Sequence, residues 1–157
     1  MSSPESSESA PVFWRPPEGA LPKGAWFGMT TRPGGVSAGA YAALNVGLAV
    51  GDVDAHVEEN RTRVRAALGL QGHEPLRVHQ EHGRRIILPS EAPGPADGFF
   101  LRAGDPWVAV SAADCAPVAV LAADGKAGAL LHSGWRGAAA GIATATLFPY
   151  TRSSDLL

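Results

Sequence analysis

Three side chains in this sequence are of the types that hold a metal ion. They are His82 in Gln80-Glu81-His82-Gly83, Cys115 in Ala113-Asp114-Cys115-Ala116-Pro117, and His132 in Leu131-His132-Ser133-Gly134-Trp135-Arg136-Gly137. One thiolate with two imidazoles suits Zn2+, and three protein ligands leave a fourth position open for water or substrate, the stoichiometry of a catalytic zinc. The same set occurs in blue-copper sites, which usually add a weak axial Met. The methionines here are Met1, in a Ser-rich leader, and Met29. Oxidases with several coppers need many imidazoles, and the chain has five His in all, so zinc is the better match. The spacing is loose, with a long segment between the first two ligands and no compact CxxC or HExxH motif. Read without a metal, Cys115 is a small apolar-like thiol and both His are ordinary hydrogen-bonded side chains. Read as a nucleophile with its base, Cys115 and His132 would make a cysteine hydrolase.

Elements must bring these residues together. Asp124-Gly125 between the apolar runs Pro117–Leu121 and Ala127–Leu131 is a hairpin signal. With Asp124 and Gly125 as the loop, Pro117 lies opposite His132, and Cys115 is diagonal to His132 on the same face, where Cα atoms are roughly 7–8 Å apart. Strands are also expected at Trp26–Thr30, Arg77–Pro89 and Gly98–Arg102, the last two parted by a Pro/Gly loop. A helix is expected after Asp52-Val53-Asp54, with an Asp capping its free N–H groups, Val57, Asn60, Arg61, Val64, Ala67 and Leu68 at helical spacing, and Gly69 ending it. Asn60 on the apolar stripe reads as a buried amide bonded to loop backbone. The Gly- and hydroxyl-rich loop 31–39 can turn backbone N–H groups toward a ligand. Ala138–Thr146 carries a short helical pattern, and Pro149 breaks any helix after it.

The chain has 157 residues, 13 basic and 15 acidic, with net charge −2 and 45% apolar residues. That balance argues against a nucleic-acid surface and is enough apolar content for a real core. No apolar run reaches the roughly 20 residues needed to cross a bilayer, and the start lacks the order of a signal peptide, so a cytoplasmic protein with no membrane partner is expected. The single Cys cannot form an internal disulfide. Residues 1–11 read as a disordered leader, 12–146 as the folded portion, and 147–157 as an unrelated tail.

Six motifs occur in order: Gly28-Met29-Thr30-Thr31-Arg32-Pro33-Gly34-Gly35-Val36-Ser37, Tyr41-Ala42-Ala43-Leu44-Asn45-Val46-Gly47, Val50-Gly51-Asp52 through Glu59-Asn60-Arg61, Gln80-Glu81-His82-Gly83, Ala113-Asp114-Cys115-Ala116-Pro117-Val118 and His132-Ser133-Gly134-Trp135-Arg136-Gly137. That series resembles the laccase-domain family, long labelled multicopper polyphenol oxidases and associated with purine nucleoside phosphorylase activity. The resemblance implies an α+β fold with a mixed β-sheet core and flanking helices, and zinc on the residues matching His82, Cys115 and His132. It implies phosphorolysis of adenosine, inosine, guanosine and 5'-methylthioadenosine to base and pentose 1-phosphate, with adenosine deaminase activity beside it. The sequence departs from the family pattern at Glu81, where a small apolar residue is usual, and beyond the Trp-Arg-Gly motif, where the family continues, so the domain is expected to be incomplete at its C-terminus. A copper-dependent polyphenol oxidase and an inactive metal-binding fragment are the other readings. The oligomeric state is not legible.

For phosphorolysis, phosphate must be held beside the ribose carbon while the glycosidic bond loosens toward an oxocarbenium-like state. Arg32, with the N–H groups around Gly34 and Gly35, and Arg136, beside His132, are the candidate phosphate ligands. Asp114 is a candidate general acid or base, or a carboxylate orienting a neighbouring ligand. Asn45 can bond to ribose or cap its own loop.

Overall fold

The computed structural model describes residues 10–48 and 50–146. Residues 1–9 of the expected leader and the whole expected tail, 147–157, lie outside the described residues. Of the leader, Ala10 and Pro11 are described, and a Cβ on Gly34 would stand 2.5 Å from the Pro11 backbone. Contacts divide the chain into two compact units, one formed by Phe27–Glu74 with the segment through Pro17, the other by Glu18–Trp26 with the chain from Pro75 onward.

In the first unit β1 (Phe13–Trp14) pairs antiparallel with β2 (Met29–Thr30). The helix expected after Asp52 is α1 (Asp54–Ala67), with Leu68 as its C-cap. The expected Asp cap is not made. Val53 is the N-cap residue and offers no side-chain bond, because the Asp52 carboxylate is engaged elsewhere: it accepts the Ser37 hydroxyl at 2.6 Å, the Asn45 amide at 2.9 Å and the Val53 N–H at 2.8 Å. The helix buries Val57 and Asn60, while Glu59–Arg63 and Glu58–Arg65 pair on its outer side. Asn60 is fully buried and bonded to loop backbone as expected. Its oxygen accepts the Val36 N–H, and its NH2 donates to the Ala43 and Asn45 carbonyls and to the Ser37 hydroxyl. The Gly-rich loop is thereby folded onto its own unit. A Cβ on Gly35 would lie 2.1 Å from the Ala43 carbonyl oxygen, so this close approach admits only glycine.

The second unit is built on three antiparallel strands in the order β3 (Gly98–Arg102), β5 (Ala127–Ser133), β4 (Ala116–Leu121). Two apolar clusters support it: Val78, Ile87, Ala96 and Phe99 form one, and Ala129, Leu131 and Ile142 the other. The hairpin register is the expected one, with Pro117 opposite His132. The expected strand over Arg77–Pro89 is not formed. That stretch contributes only isolated parallel bridges, His79 to Pro95 and Ile87 to Phe99, with a further one from Leu76 to Val108. The chain turns at His82, whose φ of 60° interrupts any continuous ladder. These bridges are the parallel component of an otherwise antiparallel α+β fold. The helical pattern near the end of the described chain is split into α2 (Trp135–Ala139) and α3 (Ile142–Ala145), with Gly141 at φ 77° between them. No helix of the described residues is long and apolar enough to cross a membrane.

Candidate metal centre

The β4–β5 hairpin sets two of the three candidate ligands. His132 lies near the end of β5, and Cys115 immediately precedes β4, diagonal to it across the ladder. His82 comes from the loop at the far end of the 76–82 segment. One ligand atom from each of the three lies within 4.8 Å of the others, and the two imidazole rings meet edge to face with centroids 4.8 Å apart. A tetrahedral zinc with two nitrogens and one sulfur places its ligand atoms about 3.5 Å from one another. Small side-chain adjustments therefore close this trio on an ion, and the donor set fits zinc. His132 is buried, Cys115 half-buried and His82 exposed, so the cluster is open on one side.

The backbone just after β5 passes close to the cluster. A Cβ on Gly134, the residue between β5 and α2, would sit 2.9 Å from His82 Cδ2 and 3.1 Å from Cys115 Sγ. The loop carrying His82 is held at two points. Gln80 donates its amide N–H to the Ser111 carbonyl and accepts the Ser111 N–H, both at 2.7 Å, which ties this loop to the segment leading into Cys115. The second hold is Asp97, 1% exposed, a residue that sequence reasoning missed. Its carboxylate accepts the backbone N–H groups of Gly83 at 2.7 Å, His82 at 2.9 Å and Glu81 at 3.3 Å. Its Oδ1 is also 2.9 Å from His132 Nδ1. The left-handed conformation of His82 costs about 1–2 kcal/mol, and hydrogen bonds to a charged acceptor contribute about 1.5–3 kcal/mol each, so three such amides hold the turn. A signal did exist in the sequence, an acidic residue directly before the apolar strand Gly98–Arg102, but its partner could not be read because no short turn links β3 to β5.

Electrostatics favour a cation. Burial would raise the Asp97 pKa, but its bond with His132 and the three amides outweigh this and hold the carboxyl below the usual carboxylate range. Burial pushes the Cys115 thiol up, and the Asp114 and Asp97 carboxylates push it further. A thiol surrounded in this way is a poor nucleophile without a metal, the opposite of a cysteine hydrolase. A metal ion reverses the balance by displacing the proton.

The other expected site residues fall as follows. Asp114 is exposed beside the thiol. Arg136 is exposed in α2 with its guanidinium 5.2 Å from the Trp135 ring centroid, and it makes no side-chain hydrogen bond among the described residues. Glu81 is exposed, and only its backbone serves the cluster. Arg32 and Asn45 belong to the first unit and not to the trio. Arg32 donates from Nε at 2.9 Å and from Nη2 at 2.6 Å to the Ala42 carbonyl. The Asn45 side chain donates to Asp52 and accepts the Gly47 N–H.

The model of the family described as multi-copper polyphenol oxidoreductase laccase matches residues 26–155. "Purine nucleoside phosphorylase YfiH" of Shigella flexneri is 38% identical over 134 residues, covering 83% of this chain and 55% of that protein. A "purine nucleoside phosphorylase" of Deinococcus radiodurans is 41% identical over 122 residues, covering 75% and 47%. The chain thus spans about half the length of the curated relatives it matches. Among solved structures, protein NMB0706 of Neisseria meningitidis superposes with a TM-score of 0.69 at 36% identity, over 79% of this chain and 51% of that one.

Proposed function

Because the chain belongs to the multi-copper polyphenol oxidoreductase laccase family, we propose that it serves as a zinc-dependent purine nucleoside phosphorylase, cleaving adenosine, inosine, guanosine or 5'-methylthioadenosine with phosphate, and deaminating adenosine as a second activity. The observation that carries this reading is the convergence of His82, Cys115 and His132 within 4.8 Å in a family whose relatives bear the phosphorylase name. A zinc bound there would polarise a substrate oxygen, or activate water for deamination. The chain's own groups then divide the remaining work. Arg136, exposed and free of ion pairs among the described residues, binds inorganic phosphate through a charge-assisted fork. Asp114, beside the thiol and open to solvent, holds or delivers the proton exchanged with the purine leaving group. The assignments of Arg32 to phosphate and Asn45 to ribose rest on donor chemistry, since each has N–H groups beyond those engaged in its own loop. The cysteine-hydrolase reading is disfavoured by the raised thiol pKa.

The test is metal analysis of the purified chain combined with phosphate-dependent release of hypoxanthine from inosine. Zinc near one equivalent with release that requires phosphate supports the proposal. Absence of both overturns it, and zinc without release reduces the chain to a metal-binding protein. Copper with oxygen consumption on phenols would instead favour the oxidase named in the family description.

A further inference from the structure

We infer that Asp97 is the positioning residue of the metal centre: one buried carboxylate fixes which nitrogen of His132 carries the proton and, through backbone N–H groups, fixes where His82 stands. The inference rests on the metal-site reading but concerns the chain before any metal arrives. The ladder explains the first half. The His132 N–H donates to the Asp97 carbonyl at 2.7 Å, which extends the β3–β5 pairing by one step and sets Asp97 directly opposite His132. At that position Asp97 Oδ1 receives the proton on His132 Nδ1 at 2.9 Å. The imidazole is then held with its lone pair on Nε2, the nitrogen left to ligate a metal beside Cys115 and His82. Without a carboxylate at Nδ1 a neutral imidazole exchanges freely between its two tautomers, and one of them has a proton where the metal must bind.

The second half comes from the same oxygens. Oδ1 also accepts the His82 N–H, and Oδ2 accepts the Gly83 and Glu81 N–H groups. Three consecutive amides converge on one carboxylate only if the chain bends around it, and His82 at φ 60° is that bend. Asp97 touches neither Cys115 nor the open side of the cluster in any hydrogen bond among the described residues. Apart from the charge it places near the thiol, its effect on the chemistry therefore passes through the two imidazoles. Asparagine cannot replace it. With its oxygen toward His132, its NH2 faces the Gly83 and Glu81 amides, donor against donor. With the amide turned over, the NH2 faces His132 Nδ1 and favours the proton on Nε2.

The experiment begins with the wild-type chain free of metal, labelled with 15N in histidine and held at a pH where imidazoles are neutral. The expected result is a His132 signal dominated by the Nδ1-protonated tautomer. A dominant Nε2-protonated tautomer, or an even mixture, overturns the inference. D97N is then compared by the same signal and by zinc affinity against a competing chelator. A loss of tautomer preference with a 10–100-fold weaker zinc affinity is expected, and a D97N chain that keeps both the wild-type tautomer and the wild-type affinity overturns the assignment. If D97N does not fold, the wild-type tautomer decides alone. Should the wild-type chain bind no zinc, the metal reading fails, while the tautomers of wild type and D97N still decide the role of Asp97.

Discussion

At the scale of single residues, the site depends on groups that leave no room for substitution. Gly134 approaches both His82 and Cys115 so closely that a methyl group must displace one of them. Overpacking of this kind costs about 1–3 kcal/mol, so Gly134→Ala is expected to weaken zinc binding in a chelator competition while lowering the metal-free melting temperature only modestly. Cys115→Ser removes the one thiolate, and loss of stoichiometric zinc by metal analysis is the expected outcome. The raised thiol pKa fixes the sign of a pH effect. Zinc must displace the thiol proton, so affinity rises with pH, about tenfold per unit while that single proton is released. Zinc titrations between neutral and mildly alkaline pH measure this slope, and a flat profile would contradict thiolate ligation. Residue types made His82, Cys115 and His132 candidate ligands, and the ordered motifs around them, through the family resemblance, implied the set. Asp97 was not marked, because a lone Asp before a strand looks like any turn residue until its partner strand is known.

Elements explain how much of the arrangement could be read beforehand. The Asp124-Gly125 turn is short enough to set its own register, so the opposition of Pro117 and His132 followed from local chemistry. Arg77–Pro89 has strand-like composition, yet its backbone is claimed by Asp97 at residues 81–83, and such a long-range claim has no local signature. Asp52 was likewise expected to cap α1. Its hydrogen bonds from Ser37 first, then Asn45, and also Val53 keep its carboxyl below the usual range. A carboxylate with a depressed folded-state pKa adds stability above its unfolded value, about 3.9, and that stability is lost as pH falls through the folded value. Acid unfolding of Asp52→Asn, followed by circular dichroism, should therefore show a flatter dependence at low pH than the parent. Asn60→Ala strips α1 of its buried bonds to the loop and leaves the Val36 N–H and the Asn45 carbonyl unpaired, while the Ala43 carbonyl keeps the Ser37 N–H, a loss expected near 2–3 kcal/mol in urea unfolding.

At the scale of the whole molecule, the chain forms two compact units, and the metal trio lies in the second. This division was not legible because Glu18–Trp26 belongs with a part of the chain that resumes only at Pro75, and composition does not record such a return. Any ligand that binds only the folded state adds stability by mass action. Zinc at a hundredfold excess over its Kd should contribute about 2.7 kcal/mol, seen by calorimetry as a higher melting temperature that a chelator reverses. The hairpin register gives this linkage a further meaning. A slip of one residue in β4 against β5 would turn every side chain of the slipped strand to the opposite face, carrying Cys115 away from His132. The short turn and the buried face of β5, with Ala129 and Leu131 in the core, already oppose such a slip, and a slipped hairpin would lose the third ligand as well. Metal affinity is therefore a readout of strand alignment: a chain that binds zinc at this trio has its hairpin in the register that sets Pro117 opposite His132.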